Sequence, residues 1–481
     1  MKRRWGLVWV VGLVVCLGLV GSPGRDGQAV AGIDYLESWS FTAYNTGAEF
    51  GYSVSPAGDV NGDGYADVLI GARKDTLHVY REGVVYLFYG SPAGLVSTPV
   101  WKMGSGQQGA AWGQVVAPAG DVNDDGFDDV LIGAPAYKAD QAPVGGVFLF
   151  LGSANGLANT PDWQVIGEQP DAELGCAASP AGDVNGDGFD DIIIGAQWFT
   201  VGQESVGQAL VYHGGADGPG QTPAWVVTGD QPGGGFGHAA SGAGDVNGDG
   251  FGDVVVAAHQ YDDDEEDEGA VFVFYGATTG LATSAAWQMV GDQAGATFGA
   301  AAAPAGDVNG DGFGDVVVGA PLYDGQDEDE GAAYLFHGGA AGLSMAANWL
   351  VLGGSPGVYL GQTVASAGDV NQDGYAEVVV GAPLSGDDQP EEGVVWVYVG
   401  SMAGLSPLPG WHGEGNKAEA RFGWAAAPAG DVNRDGYDDL VVGAPLYKVE
   451  HVVVGQALLF LGQPGSNLPP VLYLPVMRGQ E

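Results

Sequence analysis

The sequence predicts an all-β fold: a seven-bladed β-propeller of four-stranded blades, closed by an N-terminal strand that completes the last blade. Three observations lead there. A Gly-Asp-Val-Asn string recurs with its Asp at positions 59, 121, 183, 245, 307, 369 and 431, always 62 residues apart. A tryptophan keeps that interval at Trp39, Trp101, Trp163, Trp225, Trp287, Trp349 and Trp411. So does an aromatic residue or Leu followed by Gly, at Phe50-Gly51, Trp112-Gly113, Leu174-Gly175, Phe236-Gly237, Phe298-Gly299, Leu360-Gly361 and Phe422-Gly423. Three markers in phase over seven copies define one repeated unit and leave no room for an inserted domain.

Each unit reads as four strands. In the second, Trp112 to Ala117 is the first, Asp129 to Gly133 the second, Gly146 to Leu151 the third and Thr160 to Ile166 the fourth. Gly, Pro, Asn and Asp punctuate the gaps, and no stretch shows helical periodicity with caps. Short apolar β-branched runs such as DVLIG suit strands buried on both faces. A closed ring protects sheet edges better than an open stack of repeats does.

The phase also predicts how the ring closes. Trp39 is a fourth-strand tryptophan with no first three strands before it, whereas the last unit has three strands ending near Phe460. Leu36 to Thr42 should therefore complete the seventh blade. A rival segment, Val471 to Val476, places Tyr473 62 residues after Trp411, but Pro469, Pro470 and Pro475 suit an edge at best.

The chain divides into a leader (1–31), the propeller (32–465) and a tail (466–481). Lys2, Arg3 and Arg4 precede an apolar run from Trp5 to Val20, and Ala29-Val30-Ala31 fits a cleavage site. The run is short for a span of about 20 residues, so a cleaved secretory signal is expected rather than a membrane anchor. Cleavage would remove four basic residues (Lys2, Arg3, Arg4, Arg25) and one acid (Asp26), leaving 10 basic and 59 acidic residues. Only Cys176 would remain, so no intramolecular disulfide could form, and Cys176 is expected to be a buried, inert thiol.

Composition sets outer limits. The 481 residues carry 14 Lys+Arg against 60 Asp+Glu, a net charge of −46, which excludes a phosphate-binding nucleic-acid protein. Apolar residues make up 46%, which excludes a disordered acidic chain. Gly reaches 87, as a fold rich in tight turns requires.

The most specific element is D-x-N-x-D-G-x-x-D. Side-chain oxygens at positions 1, 3 and 5, a backbone carbonyl at 7, a turn-forming Gly at 6 and a closing carboxylate at 9 suit a hard, oxygen-seeking cation. The ligand sets are Asp59, Asn61, Asp63, Tyr65 and Asp67; Asp121, Asn123, Asp125, Phe127 and Asp129; Asp183, Asn185, Asp187, Phe189 and Asp191; Asp245, Asn247, Asp249, Phe251 and Asp253; Asp307, Asn309, Asp311, Phe313 and Asp315; Asp369, Asn371, Asp373, Tyr375 and Glu377; and Asp431, Asn433, Asp435, Tyr437 and Asp439. The aromatic members would contribute only their carbonyls. Carboxylates this close repel one another, and Ca²⁺ supplies the missing charge. Up to seven structural Ca²⁺ are expected, standing in for absent disulfides. An EF-hand would carry Glu at position 12, where this chain has Ile70, Ile132, Ile194, Val256, Val318, Val380 and Val442. The same apolar position argues against a dockerin module.

These residues resemble FG-GAP repeats, the unit of the integrin α-chain propeller. Beside the Phe-Gly marker stands Gly-Ala-Pro at 133–135, 319–321, 381–383 and 443–445, degraded to Gly71-Ala72-Arg73, Gly195-Ala196-Gln197 and Ala257-Ala258-His259. The resemblance covers about residues 36 to 465. It implies Ca²⁺ in the loop joining strands one and two on the lower face, and partner contacts on the upper face through the strand 2–3 and 4–1 loops. The stalk domains, transmembrane helix and cytoplasmic tail of an integrin α chain have no counterpart in this sequence.

Function should lie where the repeat varies. The strand 2–3 loops hold Asp262 to Glu268 (DDDEEDE), Asp327 to Glu330 (DEDE) and Asp387 to Glu392 (DDQPEE), expected as a solvated acidic rim able to attract a cationic partner. Trp112, Trp198, Trp396 and Trp424 are expected to pack between blades. The seven His follow no ligand spacing, and neither H-E-x-x-H nor G-x-S-x-G occurs. The sequence thus points to a secreted or cell-surface, non-enzymatic binding or adhesion module. It is expected to be monomeric, with an extracellular protein or glycan ligand and no nucleic acid. Its rivals are a hydrolase or lyase acting on polysaccharide or lipid at the upper face, and a surface-layer component.

Overall fold

The computed structural model describes residues 33–386 and 389–463. Seven four-stranded antiparallel sheets follow one another along the chain. The first blade comprises Phe50–Gly58, Asp67–Ala72, Val84–Phe88 and Trp101–Gly104. The next five repeat this meander, and their outer strands begin at Trp163, Trp225, Trp287, Trp349 and Trp411. The seventh blade joins Ala425–Gly430, Asp439–Ala444 and Gln456–Gln463 to Asp34–Thr42. Trp39 lies opposite Leu459, after a bulge at Glu37. The N-terminal strand therefore closes the ring, as the phase of the tryptophans predicted. Tyr473 and the tail lie outside the described residues, as does the leader.

The second strands are buried on both faces, and Val68, Leu69 and Ile70 have no exposed surface. Both faces are covered because the core is not single: apolar clusters occupy the seven junctions between neighbouring blades. One joins the seventh blade (Val441, Leu459) to the first (Phe50, Val68, Ile70), so closure is made by the same kind of apolar junction as the others. The aromatic-Gly marker has a place in this packing. Phe50 bridges in parallel to Gly455 of the seventh blade, whose φ is +83° and where a Cβ would lie 2.2 Å from the Phe50 carbonyl oxygen. Only glycine fits there.

Two boundaries differ from the sequence reading. The first strand of the second blade is Val115–Gly120, not Trp112 to Ala117, because Ala111 (φ +57°) and Gly113 (φ +75°) put Trp112 in a turn. Its fourth strand starts at Trp163, after the turn at 160–162. Small two-stranded hairpins that the sequence reading missed extend the 2–3 connections of the second, third and seventh blades, as at Lys138–Ala139 with Ala142–Pro143. Trp112 (3% exposed) packs between blades as expected, in a cluster with Leu69, Val85 and Phe148, and Trp396 packs against the fifth and sixth blades' cluster.

Candidate metal centres and the opposite face

The acidic motif joins the first and second strands of every blade, so all seven copies fall on one face of the ring. In the first copy, Asp59 accepts hydrogen bonds from the backbone N–H of Asp63 (3.0 Å) and Gly64 (2.6 Å). Asn61 Oδ1 accepts from Asp63 N (2.8 Å), and Asp63 accepts from Tyr65 N (3.0 Å). The chain can turn back this sharply because position 6 is glycine, with φ of +86° at Gly64 and +94° at Gly436. Asp67 opens the second strand and has no exposed surface. Its two oxygens accept from Val60 N (3.2 Å) and Gly90 N (2.9 Å), which ties the loop to the end of the third strand.

The other six loops repeat these contacts, and Glu377 reaches the same two partners, Val370 N and Gly400 N, with its longer side chain. The ninth-position carboxylates are fully buried in all seven. Burial, helped by the carboxylates of Asp63 and Asp59, pushes Asp67 up to about 8 against the two N–H donors. Asp129, Asp191, Asp253, Asp315 and Asp439 rise to about 7 and Glu377 to about 8 for the same first reason. The position-12 residues Ile70 through Val442 are fully buried in second strands, unlike the helix that follows an EF-hand loop.

The donor set fits a calcium ion. Every side-chain donor is oxygen, and a buried carboxylate held against its preference for protonation is the partner a divalent cation stabilises in ionised form. Among the described residues no Lys or Arg forms an ion pair with these acids. No group of three His, Cys, Asp or Glu side chains is already gathered at ligating distance among those residues. Asp59 and Asn61, Asp63 and Asp67 would hold the ion, and it would supply cross-linking charge rather than reaction chemistry.

Position 8 carries a role the sequence reading missed. Asp128 accepts from Asp59 N of the preceding blade (2.7 Å) and Asp190 from Asp121 N (3.1 Å), so these side chains join neighbouring acidic loops. The signal was the appearance of Asp at 128, 190 and 438 where the other copies have Ala or Gly.

The opposite face is built by the 2–3 and 4–1 connections. Asn45, Gln107, Gln169, Gln231 and Gln293 each donate to a backbone carbonyl 31 residues later, for example Gln169 Nε2 to Thr200 O (2.9 Å). The acidic rim needs one correction. Most of Asp262 to Glu268 is solvated, but Glu82, Glu268, Glu330 and Glu392 turn inward and are 0–3% exposed. Glu82 accepts from Leu77 N (3.0 Å), His78 N, Val79 N (2.8 Å) and Gly106 N (2.7 Å). These acids organise their loops because burying a carboxylate requires several donors at once.

The face is also polarised. Of the nine Lys and Arg among the described residues, Arg73, Lys74, Arg81, Lys138, Lys417, Arg421 and Lys448 belong to these connections, all between the end of the sixth blade and the second. The acidic runs occupy the fourth, fifth and sixth blades. Near the ring centre, Glu49 pairs with Arg73 (2.7 Å) and Lys74 (2.5 Å). The Arg73 guanidinium lies 3.6 Å from the Tyr52 ring, itself 5.7 Å from Trp424. A separate network runs from Glu173 through Gln197 to His238, which stacks on His259 at 3.8 Å. Burial pushes these two imidazoles down to about 4 and 3.

Comparison with known proteins agrees with this architecture. The FG-GAP repeat matches at residues 50–88, 112–150, 177–212, 236–274, 298–336, 360–398 and 422–459, together more than half of the chain. The chain is 36% identical to mouse integrin alpha-IIb over 168 residues, covering 34% of this chain and 16% of the integrin. It is 38% identical to mouse integrin alpha-3 over 172 residues (35% and 16%) and 32% identical to Caenorhabditis briggsae integrin alpha pat-2 over 226 residues (43% and 18%). It thus spans less than a fifth of the length of these curated relatives. A chain in the crystal structure of BBS1N in complex with ARL6DN shares the fold alone, with TM-score 0.51 and 10% identity over 90% of this chain and 98% of that one. The chain belongs to the FG-GAP repeat family, as an integrin-α-like seven-bladed propeller.

Proposed function

We propose that the chain is a calcium-loaded, secreted or cell-surface binding module, adhesive rather than enzymatic. One observation carries the reading: seven copies of an all-oxygen loop, each closed by a buried carboxylate that has no basic partner among the described residues. If free Ca²⁺ is about 100-fold above its Kd, each site stabilises the fold by roughly 2.7 kcal/mol. That role suits a chain with one free cysteine among the described residues. The partner-binding surface is the opposite face, where the repeat is least uniform. The His238–His259 pair is a poor general base, because burial pushes both imidazoles down to about 4 and 3.

The test has two parts. Metal analysis of the purified protein, with melting curves in Ca²⁺ and in chelator, should show bound Ca²⁺ and a large loss of stability on its removal. A screen against extracellular-matrix proteins and glycans should then return a Ca²⁺-dependent partner. An unchanged melting temperature with no copurified Ca²⁺ would sink the metal reading. Silence in the screen from folded protein would sink the binding one.

A further inference from the structure

We propose that an upper-face cleft between the first and second blades binds an acidic polysaccharide, its carboxylates engaged by Arg81, Lys74 and Arg73 and its sugar faces by Tyr44 and Tyr80. This rests on the binding reading above and names the ligand class.

The cleft is open, about 280 Å³ in volume, and lined by Arg73, Lys74 and Arg81 together with the connection that enters the second blade. Three cations meet one facing carboxylate, Glu49, which is already shared between Arg73 and Lys74. Arg81 is exposed and forms no ion pair among the described residues. The nearby acids are committed elsewhere: Asp75 is buried against Asn45 (2.6 Å) and the Tyr86 hydroxyl, and Glu82 against its four N–H donors. A net positive cleft in a chain of net charge −46 is not a by-product of composition. A guanidinium offers a planar fork that matches a carboxylate, and an open pocket lets solvent-exposed anions reach it.

The second observation is aromatic. Tyr44 (86% exposed) and Tyr80 (63%) are exposed; Tyr80 directly precedes Arg81 in the chain, and Tyr44 stands three residues before Gly47 in the connection that enters the first blade. The Arg81 guanidinium lies 5.8 Å from the Tyr80 ring and 3.5 Å from where a side chain at Gly47 would begin, so it bridges the loops that carry the two tyrosines. Flat, amphipathic rings beside a carboxylate fork suit a uronic-acid unit, which presents an apolar C–H face and a charged edge. The acidic runs of the fourth to sixth blades would repel a polyanion. A bound chain should therefore run outward over the seventh, first and second blades rather than across the funnel.

The test is calorimetric titration of the Ca²⁺-loaded full chain at physiological ionic strength. The probes are a short oligogalacturonate, the same oligomer with its carboxyls reduced, and a glutamate-rich peptide of equal charge. The uronate should bind, more weakly as salt rises, and the reduced oligomer should not. Arg81→Ala should weaken binding roughly tenfold or more, Arg81→Lys less, and Tyr80→Ala measurably, with melting temperatures confirming folded variants. Lys102→Ala, on the outer strand of the first blade, should leave binding unchanged. Equal binding of the reduced oligomer, or no effect of Arg81→Ala, overturns the proposal; tighter binding of the peptide assigns the cleft to acidic protein instead. A neutral or basic hit in the matrix screen without uronate binding overturns this inference and leaves the binding reading standing. Silence in both overturns both.

Discussion

The indole nitrogen of Trp39 donates to the carbonyl of Val96, 3.1 Å away and 57 residues further on. The same bond, at the same separation, joins Trp101 to Ala158, Trp163 to Gly220, Trp225 to Ala282, Trp287 to Ser344 and Trp349 to Ser406. Each ring also packs edge-on against an aromatic of the next blade, as Trp39 does on Phe88 at 4.9 Å. The phased tryptophan is thus a tie from the outer strand of one blade to its successor. Trp39 is the member that ties the closing strand to the first blade. Trp39→Phe should cost about 1 kcal/mol for the lost donor and Trp39→Ala roughly 3 kcal/mol, read from denaturant melts. Removal of residues 33–42 should leave Gln456–Gln463 as an open edge and produce self-association in size-exclusion chromatography.

Calcium removal should invert the pH response. In chelator, the ninth-position carboxylates bind protons in the folded state more tightly than in the unfolded chain, where an Asp titrates near ~3.9. Their contribution is full below that value and is lost as pH rises through about 7 to 8. The chelated protein should therefore melt at a higher temperature at pH 5 than at pH 8. With millimolar Ca²⁺ the order should reverse, since protons then compete with the ion. Parallel pH profiles in the two conditions would count against calcium in these loops.

Glu82 behaves in the opposite sense. Burial alone would raise it, but donors from His78, Val79, Gly106 and Leu77 outweigh burial and hold it below the usual glutamate range. Its stabilising contribution is present above the unfolded value near ~4.3 and is lost as pH falls through the lower folded value. Glu82→Ala should strand those donors and cost roughly 1–3 kcal/mol. Limited proteolysis should then cut within residues 76–82 faster than in the unaltered protein.

Cys176 should be unreactive. The residue is half-buried rather than fully buried as the sequence led one to expect, but its thiol approaches the Gly237 carbonyl at 3.4 Å, and desolvation pushes it up to about 12. Thiol reagents at pH 8 should label it slowly in the folded protein and rapidly in denaturant. Fast labelling of the native chain would show the site to be open.

What the sequence revealed and what it hid follow from one distinction. Repeated chemistry is legible because 62-residue phase filters out chance: the Asp loops, the tryptophan ties and the unpaired Trp39 strand all emerged that way. Boundaries at Trp112 were missed because a residue of high strand propensity sits between two left-handed backbone positions, which only the neighbouring blade's packing explains. The buried face of the acidic runs was missed because Glu268 and its exposed neighbours are chemically alike, and only the fold assigns one of them to backbone donors at Asp263 and Asp264. The cationic cleft was missed because Arg73, Lys74 and Arg81 are singular departures from the repeat, and only the fold sets them against the connection that enters the second blade.

Ring closure also sets a timetable. Trp39 belongs to the first described strand of the chain, yet its strand partner Leu459 is synthesised about 420 residues later. Six blades can collapse in order as they emerge, each on the one before. The seventh must wait until the other six blades have emerged, and its pairing carries the full entropic cost of a long loop. Until then both ends of a half-built ring are bare edges. The slowest step in the maturation of this protein, and its window for misassembly with a neighbouring copy, should be that final clasp.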